Sequence, residues 1–386
     1  MRYNHGWLAA IGLGAAAGCH AAERPGPDRA APVPIAVHQL WQHAFEIGPA
    51  ARRSLVIVPP CTIWIVAGGA SAWSCEGDSL TALPEGDGPG EFRYPWLASS
   101  WDDDSLAIWD AALARLSILD STGHFVRSVQ LPILMNQGAR VAGIFRHAGA
   151  LHVWADPYPI AFGAADSAPR GHVWAVADGA TSLTNSLLSF EGPLSTVIRD
   201  ATTFSRVDAP VRRRPLVAVL GDGTTVVASS GSDSVQVYSW AGAPAMTIAL
   251  DLTADPVTSD DRAKYADSIR ESIRGELAAQ RLGPKLDSFF LRRAEALVKA
   301  ANWPATRQRM DLLVAGTGSR FWILRPAFGA DRGREWREYD TSGTLHRVLH
   351  VPHWGSVGAA AVAGDTLTTL EFRFGADSTV LARYAP

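Results

Sequence analysis

Charge and cysteine are both scarce in this chain. Charged residues make up 19% of the 386 positions, below the roughly 25% of an ordinary soluble domain. The formal net charge is only −3. A general nucleic-acid binder needs a basic stripe to release counterions from phosphates, and none is present. The densest basic run, Arg212-Arg213-Arg214, stops at Pro215 and is expected to be a solvated loop. With three cysteines, the chain lacks the thiolates of a multi-cysteine metal cage or a disulfide-dense scaffold. What is plentiful is core and turn material: 47% hydrophobic residues, 14 Trp, 35 Gly and 24 Pro. That length accommodates one large all-β domain or two ordinary ones.

The first residues, MRYNHGWLAAIGLGAAAGC, combine Arg2 with an apolar stretch from Trp7 to Ala17. Such a stretch suits a signal peptide and is too short for a membrane helix of about 20 residues. The run Ala16-Ala17-Gly18-Cys19 resembles the lipobox of bacterial lipoproteins. The resemblance implies a signal peptide over 1–18 and a diacylglycerol on Cys19. His20, not Asp, follows the cysteine, which under the sorting rule for two-membraned bacteria implies the outer membrane, on its periplasmic or cell-surface side. Plain secretion or an uncleaved anchor is the alternative. Residues 19–35 are rich in Pro and Ala and suit a semi-extended tether. Cys61 and Cys75 then remain as an even pair in an oxidising compartment. They flank IWIVAGGASAWS, a strand–turn–strand pattern turning near Gly68-Gly69, so a disulfide is expected. Two buried thiols are the alternative.

The fold signal is repetition. IWIVA, AIWDA and HVWAD place Trp64, Trp109 and Trp154 at intervals of 45 residues, and FWILR with Trp322 and TLTTLEF with Leu367 repeat that interval. VVASS around Val227 fills the gap, giving six strands of one type. This period matches a four-stranded propeller blade. A second repeat aligns LDSTGHFVRSVQLP (119–132) with YDTSGTLHRVLHVP (339–352). Asp120 and Asp340 open the turn, and Gly123 and Gly343 supply its positive φ. Weaker echoes fall at 177–179 and at Trp240-Ala241-Gly242.

Between the first two blades lies GDGPGEFRYP (86–95). No amphipathic helix follows it, so it is not a dinucleotide-binding loop. A Gly-x-Gly-Pro-Gly-Glu-Phe loop leading to Pro, a strand, Trp and an Asp-x-x-Gly turn resembles bacterial six-bladed β-propeller lipoproteins related to NHL-repeat proteins. The resemblance spans 36–386, with blades three and four the most degenerate. HQLWQHAFEIG (38–48) is strand-like but precedes the first full blade, while the chain ends at STVLARYAP without a fourth strand. The N-terminal strand is therefore expected to complete the last blade and close the ring. The fold class is an all-β, six-bladed propeller with strand-exchange closure and one α-helical hairpin inserted over 253–304. There the period shifts to about 3.6. Ser259 is the expected N-cap of a first helix that Gly283 ends, and Pro284 opens a second that reaches about Ala301.

Candidate chemistry is thin. His346 and His350 share a strand face but lie roughly 13 Å apart, too far for one metal; His353 follows on the same predicted outer strand. Asp102-Asp103-Asp104 precedes a strand and suits a solvated turn better than a calcium loop. Ser229-Ser230-Gly231-Ser232 with Asp233 is a polar hairpin turn. Asp110 and Asp156 follow the Trp strands of blades two and three at matching positions, so the two carboxylates are candidates to face one rim together. No metal ligand set and no cofactor motif is found. The leading expectation is an outer-membrane-anchored binding or scaffolding propeller for an unknown protein, peptide or glycan, with no nucleic-acid partner. The alternative is a metal-dependent propeller hydrolase, lyase or lactonase.

Overall fold

The computed structural model describes residues 35–45, 54–59, 61–66, 69–101, 104–132, 139–147, 149–157, 170–176, 186–191, 195–199, 204–208, 215–253, 255–280, 284–300, 303–326, 334–352, 356–372 and 379–385. The signal peptide, Cys19 and most of the tether lie outside them. So do the basic run at 212–214, the echo at 177–179 and His353.

Two N-terminal strands, β1 (Ile35–Ala36) and β2 (His38–Phe45), precede the blades. Blade one holds β3 (Ser54–Val58), β4 (Thr62–Val66), β5 (Ala70–Ser74) and β6 (Ser79–Ala82). Blade two holds β7 (Pro95–Ser100), β8 (Ser105–Asp110), β9 (Arg115–Asp120) and β10 (Phe125–Gln130). Blade three holds β11 (Ala139–His147), β12 (Ala150–Pro157), β13 (Arg170–Val176) and β14 (Ser186–Glu191). A separate two-stranded hairpin, β15 (Ser195–Arg199) with β16 (Phe204–Asp208), follows. Blade four holds β17 (Pro215–Val219), β18 (Thr225–Ser229), β19 (Ser234–Tyr238) and β20 (Pro244–Ala249). Helices α1 (Ser259–Gln280) and α2 (Pro284–Ala300) come next. Blade five holds β21 (Leu312–Ala315), β22 (Arg320–Leu324), β23 (Arg334–Asp340) and β24 (Leu345–Val351). Blade six holds β25 (Ser356–Ala363), β26 (Thr366–Phe372) and β27 (Thr379–Ala385).

The ring is visible in the packing. Six apolar clusters among the described residues each join one blade to the next, and the sixth joins blade six to blade one. The repeated Trp residues are their material: Trp64, Trp109 and Trp322 are at most 2% exposed. They fill space between sheets, as large side chains do where two pleated faces meet.

Closure occurs as expected. β2 pairs antiparallel with β27, His38 opposite Ala385 and Phe45 opposite Thr379, and becomes the outermost strand of blade six. β1 was not anticipated: it adds in parallel to the outer edge of β24 in blade five. One N-terminal segment thus covers an edge of blade five and completes blade six.

The two repeated turns are built alike. Asp120 Oδ1 accepts the amides of Thr122 and His124, each at 2.9 Å, and Asp340 Oδ1 accepts those of Ser342 at 2.8 Å and Thr344 at 3.0 Å. Gly123 has φ 92° and Gly343 φ 88°. At Gly123 a Cβ would stand 2.7 Å from the Trp64 ring of the preceding blade, so the turn needs glycine twice over, for φ and for space.

The hairpin insertion is also present, with its cap one residue earlier than expected. Thr258 Oγ1 accepts the Asp261 amide at 3.2 Å, while the Asp261 carboxylate accepts the Thr258 amide at 2.7 Å and its hydroxyl at 2.9 Å. This is a capping box. Thr258 has an acidic residue three places on, whereas Ser259 has Arg262.

Candidate functional site

Strand alternation assigns every connection to one of two faces. Links from first to second and from third to fourth strands leave one face; links from second to third strands and between blades leave the other. The first face carries tight turns such as 220–224, 316–319 and 341–344. Among the described residues the second carries the connection 83–94, the β15–β16 hairpin and both helices. Chain length is thus concentrated on one side, where binding residues gather on a rigid scaffold. We call this the hairpin face.

The helical hairpin is fixed at its base. Pro256 and Thr306 form an antiparallel bridge, the Val257 amide donates to Ala305 O at 3.1 Å, and the Arg307 amide donates to Asp255 O at 2.8 Å. Arg307 clamps Asp261 through Nε at 2.9 Å and Nη2 at 2.7 Å. Burial alone would raise the Asp261 carboxyl; the Thr258 amide and the Arg307 guanidinium outweigh it, so its pKa falls below the usual aspartate value. The amides of Arg309 and Met310 donate to Ser230 O in the β18–β19 turn at 2.7 and 3.0 Å. Arg309 also pairs with Asp233 at 2.7 Å.

Blade five extends this mount. Arg334 Nη1 meets Asp311 at 2.7 Å. Glu335 takes Arg337 at 2.6 Å and Arg325 at 3.3 Å, while Arg325 reaches Thr253 Oγ1 at 3.2 Å and Arg337 reaches Asp251 O at 2.5 Å. Burial pushes Glu335 up, but the two guanidinium groups bring it below its ordinary range. Burial raises Tyr339 beside them. Each basic group of the mount faces a carboxylate or a carbonyl, so the cluster holds the chain in place instead of presenting charge.

The helices themselves meet through Arg270, which forks onto Glu295 at 2.7 and 3.0 Å. Tyr265 and Trp303 pack edge to face. Ala294 is fully buried, while Phe289, Phe290 and Val298 are half-buried. Helix α2 approaches β15, so the two insertions of the hairpin face lie against each other.

The inner strands around the axis are β3, β7, β11, β17, β21 and β25. Five of them, SLVIV, PWLASS, PLVAV, LLVA and SVGAAAVA, contain no Asp, Glu, His, Cys, Lys or Arg. β11 alone carries Arg140, Arg146 and His147.

Asp110 does not present its carboxylate to a rim. It is 0% exposed. Its Oδ2 accepts the amides of Arg93 at 2.6 Å and Tyr94 at 3.1 Å, and its Oδ1 those of Ala112 at 2.9 Å and Leu113 at 3.0 Å. The residue pins the inter-blade loop to the β8–β9 turn. The backbone of Asp156 pairs with Arg140; its side chain lies outside the described part. The glycine loop is held in a second way: Arg115 donates to the carbonyls of Asp87 at 2.9 Å, Gly88 at 3.1 Å and Glu91 at 2.6 Å. It is an interlock between blades one and two.

Cys61 and Cys75 form a disulfide, with Cα atoms 5.5 Å apart. It closes the end of the β4–β5 hairpin on the turn face, just beyond the pair Thr62 and Ser74. His346 Nε2 sits 2.7 Å from Asp340 Oδ2, and His350 is exposed beside β1. Among the described residues no group of three or more His, Cys, Asp or Glu converges to hold a metal. The Ser229–Ser232 segment is a hairpin turn, with the Ser232 amide on Ser229 O at 2.8 Å.

No protein-family model matches the chain, and no curated protein matches it significantly. Solved propellers of low identity are similar over most of both chains. A member of the DUF4221 family from Bacteroides vulgatus is 9% identical over 90% of this chain and 97% of its own, TM-score 0.45. A calcium-binding regucalcin from Agrobacterium tumefaciens is 13% identical over 90% and 93%, TM-score 0.45. A virginiamycin B lyase from Staphylococcus aureus is 9% identical over 89% and 98%, TM-score 0.40. No residue role passes from them to this chain.

Proposed function

We propose that this chain is a binding or scaffolding propeller that holds a protein, peptide or glycan partner on its hairpin face, tethered to the outer membrane by a lipid on Cys19. The observation that carries this reading is the concentration of insertions on one face around a helical hairpin whose base is fixed by ion pairs and backbone bridges. A rigid projection ordered in advance lowers the entropy lost on binding. A metal-dependent hydrolase, lyase or lactonase would need carboxylates or imidazoles converging on the axis, and five of the six inner strands supply none.

The bridge between Pro256 and Thr306 makes the test clean, because residues 257–305 can be replaced by a short Gly-Ser link without parting blades four and five. Affinity capture from membranes in mild detergent should return a stoichiometric partner with the intact chain and lose it with the excised one, whose unfolding transition remains. Retention of the partner after excision argues against the hairpin face. A co-purifying divalent metal with no partner would favour the enzymatic reading instead. Cys19→Ser should move the protein from the membrane to the soluble fraction.

A further inference from the structure

The ring has one seam where both chain ends make a single blade, and the disulfide lies beside it. Blade six meets blade one through Ala359, Leu370 and Leu381 on one side and Leu55, Ile63, Ile65 and Cys75 on the other. Arg383 sits at this junction. Its backbone pairs with Trp41 of the exchanged strand β2 and with Thr368 of β26. Its side chain crosses to blade one, where Nη1 donates to Cys75 O at 2.8 Å and lies 3.6 Å from Cys61 Sγ.

We propose that the Cys61–Cys75 bridge and Arg383 form a redox-dependent clasp, in which oxidation of the two thiols to the bridge locks the N-terminal strand into blade six. The inference is independent of which partner the hairpin face holds. The bridge fixes the end of the β4–β5 hairpin, so it also fixes the Cys75 carbonyl and the Cys61 sulfur that receive Arg383. Burial drags the Arg383 cation below its ordinary pKa, against the favourable charge of Glu76, so a desolvated guanidinium depends on those acceptors staying in place. When the bridge forms, the two thiols give up two protons and two electrons to the disulfide of a thiol oxidant, which leaves as a dithiol. Reduction by dithiothreitol is the reverse: Cys61 and Cys75 return to thiols and the reagent closes to its cyclic disulfide. The hairpin end is then free to fray, Arg383 loses its acceptors, and the β2–β27 pair loses its link to blade one.

Hydrogen exchange on the full chain, with and without dithiothreitol, reads this directly. Reduction should speed amide exchange roughly tenfold or more in His38–Phe45 and Thr379–Ala385, leaving Ser105–Asp110 in blade two unchanged. Arg383→Met in the oxidised protein should show the same acceleration in the same two strands, with little added by reduction. Acceleration confined to Thr62–Ser74, or no change anywhere, would make the bridge a local staple and overturn the clasp. So would a full response to reduction in Arg383→Met. The wild-type comparison stands alone if that variant does not fold.

Discussion

Replacing Asp110 by Asn keeps the shape of the side chain while removing its charge and one of its two acceptor oxygens. In the native protein each oxygen receives two backbone N–H groups, at 2.6 and 3.1 Å and at 2.9 and 3.0 Å. Whichever way the amide turns, its NH₂ faces two donors. Two charge-assisted bonds are lost, each of about 1.5–3 kcal/mol, and two amides of part-buried bonds are left facing an NH₂. The losses overlap because the donors share one site, so the expected destabilisation is about 3–5 kcal/mol. Equilibrium urea unfolding followed by tryptophan fluorescence measures it, with Asp104→Asn as the control. Asp104 is exposed, and its change should stay within about 0.5 kcal/mol. Hydrogen exchange should also show the 83–94 connection opening in Asp110→Asn. A loss under about 1 kcal/mol, or one matched by the control, would refute the view that this carboxylate pins the two blades together.

Gly123→Ala meets both a positive φ and the Trp64 ring, and should destabilise by about 2–3 kcal/mol in the same assay. Gly318→Ala has φ +65° but open space, so it should cost only about 1 kcal/mol; equal losses at the two sites would remove the packing argument. Asp340 bears on acid stability. Burial pushes its carboxyl up, but the Ser342 hydroxyl, His346 and two backbone amides bring it down to about 2. The folded pKa is the lower one, so its stabilisation of about 2 kcal/mol is complete above the unfolded value near 3.8 and disappears as pH falls through about 2. Asp340→Asn should therefore be less stable than wild type at pH 6, and the gap should narrow towards pH 2. A gap independent of pH would contradict the assignment.

The propeller was legible because its signals are local and repeated. The 45-residue Trp spacing marks second strands, and the Asp-x-x-Gly turns mark the step to the outermost ones. Closure was legible for a related reason: a strand without a blade at one end matched a blade without a strand at the other. The addition of β1 to β24 was not, since two residues carry no period and their pairing is decided by where β2 must begin. The β15–β16 hairpin hid in a connection beside the basic run. Thr258 was readable as the cap from Asp261 three places on, a signal outweighed by the neighbouring serine. The disulfide followed from symmetry about the turn at 68–69, but nothing nearby in the chain points to Arg383. Asp110 and Asp156 do match by repeat position. What Asp110 does depends on Arg93 and Tyr94 arriving from the preceding loop, which its own strand does not encode. The mount of the helical hairpin is invisible for the same reason, because Arg307, Arg309 and Arg334 find their partners across loops and between blades.

The claim that binding belongs to the hairpin face is tested most directly by a photo-crosslinking residue placed at Ala296, exposed on α2, and separately at Asp222, exposed on a turn of the opposite face. Irradiation of cells carrying each variant should yield one defined adduct from Ala296 and none from Asp222. An adduct from Asp222 alone, or from neither position, would contradict it.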